Sequence, residues 1–140
     1  MDLYAIYLVS DSVGETADVV IRSALYQFET ENYQLKKYSY VQTTEEIDDI
    51  CAKAAEDEKA MIFYTFVKKE MADYMKSRIE HSNLIGVDIY SPILTGLGQL
   101  FQLPAKEKPG MNRQLNEDYF NRVEAIEFSV KYDDGRDPRG

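Results

Sequence analysis

Over the first hundred positions, apolar residues fall in two kinds of pattern that take turns along the chain. Residues 3–9 are an unbroken apolar and aromatic run closed by Ser10-Asp11-Ser12, as expected of a strand buried on both faces. From Val13 the spacing changes to threes and fours, at Val13, Ala17, Val20, Ile21, Ala24, Leu25 and Phe28, which puts a stripe on one side of a helix. Residues 33–41 alternate as a strand does. Thr43 and Glu46 then stand at capping-box spacing, so a second helix begins there with Ile47, Ile50, Cys51 and Ala54 facing inward. Residues 60–67 are a third buried run, and Met71, Tyr74, Met75 and Ile79 mark a helix that ends near His81-Ser82-Asn83. Residues 84–89 give a fourth strand. Pro92 suits the first position of a helix carrying Ile93, Leu94, Leu97, Leu100 and Phe101.

Strict strand and helix alternation predicts an α/β fold: an open parallel four-stranded sheet of order 2-1-3-4 with helices on both faces, because right-handed crossovers leave few other arrangements. Pro104, Pro109, Gly110 and three charges between them break the pattern and predict a connecting arm. The expected division is an α/β domain over 1–103, then an arm, a helix and a charged turn over 104–140. That last helix, at about 116–131, carries the stripe Tyr119, Phe120, Val123, Ile126 and Val130, and residues 132–138 are turn-rich. If the stripe lacks a complete home in one chain, it packs on a second copy to give a homodimer, or projects; folding back onto the sheet is the alternative.

Composition adds exclusions. At 140 residues, 44% hydrophobic and 29% charged, the chain has the size and balance of one ordinary folded domain. No apolar run approaches a membrane span, and Met1-Asp2-Leu3 lacks the basic start of a signal peptide, so a cytoplasmic protein without membrane contact is expected. Cys51 is the single cysteine, which excludes an internal disulfide and any multi-cysteine metal site. With 16 basic against 25 acidic residues the net charge is -9, a poor match for nucleic acid.

In open parallel sheets ligands bind beyond the carboxyl ends of the strands, where the strand order reverses. Here that point follows the first strand, at Ser10-Asp11-Ser12-Val13-Gly14-Glu15-Thr16. Ser10, Ser12 and Thr16 could donate hydroxyl hydrogen bonds to a phosphate, Gly14 lets the backbone approach, and the following helix start favours an anion. Asp11 and Glu15 would require a metal-bridged or neutralised ligand. The alternative is that Ser12 caps the helix and Glu15 closes the box, with no ligand. No Gly-x-x-x-x-Gly-Lys-Ser/Thr occurs, so the lysine that reaches the outer phosphates in such loops is absent. Lys106, Lys108 and Arg113 form a loose basic cluster, and Asp133-Asp134-Gly135 reads first as a turn and second as a carboxylate site for magnesium. A lone His81 at a helix end cannot build a metal centre. Thr65, Phe66 and Val67 follow the third strand where a receiver domain needs its aspartate.

Two stretches, residues 7–17 around Ser10-Asp11-Ser12-Val13-Gly14-Glu15-Thr16 and Lys108-Pro109-Gly110 with Tyr119-Phe120 and residues 124–135, resemble the bacterial regulatory proteins of pyruvate, phosphate dikinase and phosphoenolpyruvate synthase. The resemblance implies a bifunctional enzyme. It would use ADP to phosphorylate a threonine of the target and inorganic phosphate to remove it, releasing pyrophosphate. It also implies that a further half, with a phosphate loop rich in Ser, Arg, Thr and Lys, follows the Asp-Asp-Gly turn, so that this chain is inactive alone and holds no tightly bound cofactor. The nucleotide-loop residues therefore map to no position here, and Tyr132 stands where many relatives carry histidine. Two other readings stay open: a flavodoxin-like flavin-binding module, which Ser12 to Thr16 also resembles, and a docking domain without a catalytic role.

Overall fold

The computed structural model describes residues 3–110. The helix expected at 116–131, the turn at 132–138, and with them Arg113, Asp133 and Asp134, lie outside the described residues. Strands and helices alternate as β1 (Tyr4–Ser10), α1 (Glu15–Leu25), β2 (Tyr33–Tyr38), α2 (Thr44–Glu56), β3 (Ala60–Thr65), α3 (Lys69–His81), β4 (Ile85–Asp88) and α4 (Tyr90–Phe101). All three pairings are parallel and the sheet order is β2-β1-β3-β4, the order the alternation predicts. Central β1 is paired on both sides.

The period of two along the strands sorts the core. Ala5, Tyr7 and Val9 of β1 join Ile62 and Tyr64 of β3 in one cluster with Ile47, Ile50, Cys51 and Ala54 of α2 and Met71, Ala72, Met75 and Ile79 of α3. Leu8 is buried on the alternate face, where α1 brings Ala17 and Ile21 against β1 and β3. The capping box of α2 is complete: the Glu46 amide donates to Thr43 Oγ1 at 3.2 Å, and the Thr43 amide donates to Glu46 Oε1 at 3.0 Å. Cys51 is a packed side chain whose sulfur lies 3.8 Å from that of Met75, and burial pushes its thiol pKa up, away from reactivity.

Several boundaries differ from the sequence reading. Ser12 does not cap α1. Gly14 occupies that position with φ +90°, no side chain caps the first turn, and Glu15 becomes the first helical residue and cannot reach back. Strand β2 stops at Tyr38 because the next residues bend over the β1 loop, where the Val41 amide donates to the Ser10 carbonyl. Phe28 lies past the end of α1 and is exposed, as is Val20. Pro92 is the third residue of α4, whose first turn is tied by the Ser91 amide donating to Asp88 Oδ1 at 2.9 Å.

At the outer edge of the sheet, Ile85 and Val87 of β4 are exposed. The α4 stripe is not buried either, with Ile93 at 52%, Leu97 at 43%, Leu100 at 72% and Phe101 at 61% exposure. Periodicity reports that a face is apolar; it does not report that the covering partner lies within the described residues.

Candidate functional site

Where the β1 carboxyl end meets α1, the chain makes a short loop held on both sides. The Ser12 amide donates to Ser10 Oγ at 3.0 Å, which tightens the turn. From the β2 side, the Tyr40 amide donates to the Ser12 carbonyl at 2.9 Å, and Ser39 Oγ donates to the Val13 carbonyl at 2.7 Å. From the β3 side, the Val67 amide donates to Asp11 Oδ2 at 2.9 Å. The loop is thus fixed before any ligand arrives, between the segments leaving the two strands that flank β1.

Each candidate residue can now be placed. Ser10 and Asp11 are buried, Ser12 and Thr16 are half-buried, Gly14 is buried and Glu15 is exposed. Desolvation raises the Asp11 carboxyl pKa, against the lowering effect of the Val67 amide and other backbone donors. Asp11 therefore works as a clamp between two loops. The left-handed Gly14 is the hinge into α1, and a Cβ there would meet the Lys37 Cε at 3.4 Å and Ser10 Cβ at 3.5 Å. Thr16 meets α4: its hydroxyl lies 3.1 Å from that of Tyr90, so the first turns of α1 and α4 converge. Lys108 is exposed in the arm, and Arg113, Asp133 and Asp134 are outside the described residues.

Sequence reasoning missed Lys37. The period of two in β2 separates the Lys36-Lys37 pair: Lys36 turns to the Tyr7 hydroxyl and to Asp57, with its ammonium 3.6 Å from the Asp57 carboxylate. Lys37 turns the other way, and its side chain passes beside Gly14. It enters no ion pair among the described residues. Strand alternation held the signal, since adjacent strand residues must point to opposite faces. No group of three or more metal-ligating side chains occurs among the described residues. Nor is any described helix long and apolar enough to cross a membrane.

Fold and loop together define a class: an open parallel α/β protein whose β1–α1 loop lies at the topological switch of the sheet. The chain belongs to the kinase/pyrophosphorylase family, whose model matches residues 6–140. It is 42% identical over 135 residues to a protein of Alkaliphilus oremlandii, covering 96% of this chain and 48% of the relative. A Bacillus velezensis protein is 44% identical over 142 residues (100% of this chain, 52% of the relative), and one of Bacillus subtilis 44% over 137 residues (96% and 50%). All three carry the name pyruvate, phosphate dikinase regulatory protein. The chain spans about half the length of these curated relatives.

Proposed function

We propose that the full-length protein containing this chain regulates pyruvate, phosphate dikinase or phosphoenolpyruvate synthase by reversible phosphorylation of a threonine. One direction consumes ADP; the other consumes inorganic phosphate and releases pyrophosphate. Family membership across residues 6–140 is the observation that carries this reading, and the geometry of the loop of residues 10–16 supports it. The Glu15, Thr16 and Ala17 amides belong to a first turn that no side chain caps, and they suit a phosphate oxygen. Ser12 adds a hydroxyl. Lys37 supplies the positive charge that the absent phosphate-loop lysine would otherwise provide. Asp11 and Ser10 hold the loop's shape from within.

Chemistry of this kind is positioning plus charge stabilisation, so this part of the protein would orient a phosphoryl group while the nucleotide loop lies elsewhere in the full-length protein. Mass spectrometry of a dikinase incubated with ADP and the full-length protein should show one phosphothreonine, and the 140-residue chain should produce none. Absence of phosphothreonine with the full-length protein defeats the proposal; phosphorylation by the 140-residue chain defeats the assignment of the nucleotide loop elsewhere.

A further inference from the structure

β3 ends in a hydroxyl that the fold leaves without a partner. Thr65 is 2% exposed and joins Ser10 and Asp11 as the buried polar side chains among the described residues. Ser10 Oγ accepts the Ser12 amide and Asp11 Oδ2 accepts the Val67 amide, so both of those are used inside the loop. The Thr65 hydroxyl makes no hydrogen bond among the described residues. Arg78 Nε is the one side-chain atom among them that is both sealed from solvent and unpartnered, so the Thr65 oxygen keeps a narrow opening. A valine would fill the same space without desolvating an oxygen, so a hydroxyl kept here calls for a partner.

The pleat says where it points. Tyr64 before it and Phe66 after it join the cluster with α2 and α3, so Thr65 turns to the other face of the sheet together with its register partner Ser10. That face carries α1, and the Ser10 Cβ lies 3.5 Å from where a Cβ on Gly14 would stand, which puts the start of α1 over this end of β1. The start of α4 comes in from the β3 side: the Ile89 amide donates to the Tyr64 carbonyl at 3.0 Å, and the Tyr90 hydroxyl lies 3.1 Å from that of Thr16. Neither helix start has a side-chain cap. Asp11 is turned to the Val67 amide and Asp88 to the Ser91 amide, while Lys37 passes beside Gly14.

We propose that Thr65 is a further ligand of the phosphoryl group, donating its hydroxyl to a phosphate oxygen from the β3 side while Ser12 and Lys37 reach it from the β1 loop and from β2. The inference rests on the reading of residues 10–16 as a phosphoryl site, and it widens that site from one loop to a crevice at the ends of three strands. The ligand chemistry is a tetrahedral phosphate, met as inorganic phosphate or as the phosphothreonine of the target.

Thr65→Val keeps the shape and removes the hydroxyl; Thr65→Ser keeps the hydroxyl. In the full-length protein, inorganic phosphate alone should raise the melting temperature of wild type and Thr65→Ser more than that of Thr65→Val. Without phosphate, Thr65→Val should melt no lower than wild type, because it loses no hydrogen bond. In dephosphorylation of a dikinase, Thr65→Val should raise KM by about tenfold or more with Thr65→Ser near wild type, and whether KM moves for inorganic phosphate or for the phosphorylated target tells which phosphate the crevice holds. Equal phosphate-induced shifts in wild type and Thr65→Val overturn the proposal. So does a lower melting temperature of Thr65→Val without phosphate, which assigns the hydroxyl to the fold, and so do wild-type KM values for both substrates. A wild-type protein that neither phosphorylates nor dephosphorylates the target defeats the proposed function instead, and the melting shifts still decide the role of Thr65.

Discussion

Asp11 shows how a residue that looks like chemistry in a sequence can be architecture in the fold. An acid beside two serines and a glycine invites a metal or phosphate role, but its buried carboxylate accepts the Val67 amide and joins the loops leaving β1 and β3. Burial raises its pKa, so the fold favours the protonated form: the favourable contribution is full below the unfolded pKa and is lost as pH rises through the folded one. Asp11→Asn keeps an acceptor without the charge, so its stability relative to wild type should rise as pH climbs from the unfolded pKa to the raised folded one and level off above it in urea titrations. Asp11→Ala orphans the Val67 amide and should cost about 1–3 kcal/mol, most of all in acid, where the protonated carboxyl is favoured. Gly14→Ala should cost about 1–2 kcal/mol, because φ +90° is strained for any side chain; thermal melting reads it. The hydroxyls and the glycine were legible as a group in the sequence. Lys37 was not, because it reaches Gly14 from another strand and only the register places it there.

Among the elements, α2 was fully legible: its box and its four inward residues depend on local spacing, and all four are buried. Thr43→Ala should cost about 1 kcal/mol. Glu46 is held below its usual pKa by the Gln42 amide first and Thr43 next, so its contribution is present above the unfolded pKa and fades as pH falls through the folded one. Thr43→Ala should therefore hurt less in acid, which denaturant curves at two pH values would reveal. At the start of α1 the capping alternative fails because Ser12, three residues before Glu15, sits inside the loop's turn with its amide on Ser10 Oγ, and Gly14 takes the cap position. Helix α3 is keyed to β4 by a fit invisible to periodicity: a Cβ on Gly86 would stand 2.5 Å from Ile79 Cδ1 and 3.2 Å from Cγ2. Gly86→Ala should destabilise by about 1–3 kcal/mol, and Ile79→Val, which removes the nearer methyl, should recover part of that loss.

For the whole molecule, alternation of strands and helices was enough to predict the sheet order, since handedness prunes the arrangements to a few. It could not reveal that β4 and α4 present open apolar surface, because an apolar stripe looks the same in sequence whether its cover is near or distant. The same scale carries the functional account. The chain belongs to the kinase/pyrophosphorylase family, and its geometry puts a pre-formed, uncapped helix start beside β1, with Ser12 and Lys37 at hand and Asp11 and Ser10 as its supports. The central claim is that this loop handles the phosphoryl group. Its most direct test is kcat/KM of the full-length protein for ADP-dependent phosphorylation and for phosphate-dependent dephosphorylation of a dikinase, comparing wild type with Ser12→Ala and Lys37→Gln. Losing one hydrogen bond to a charged group should lower each value by about tenfold or more with the melting temperature unchanged. Wild-type rates for both variants in both directions would contradict the account.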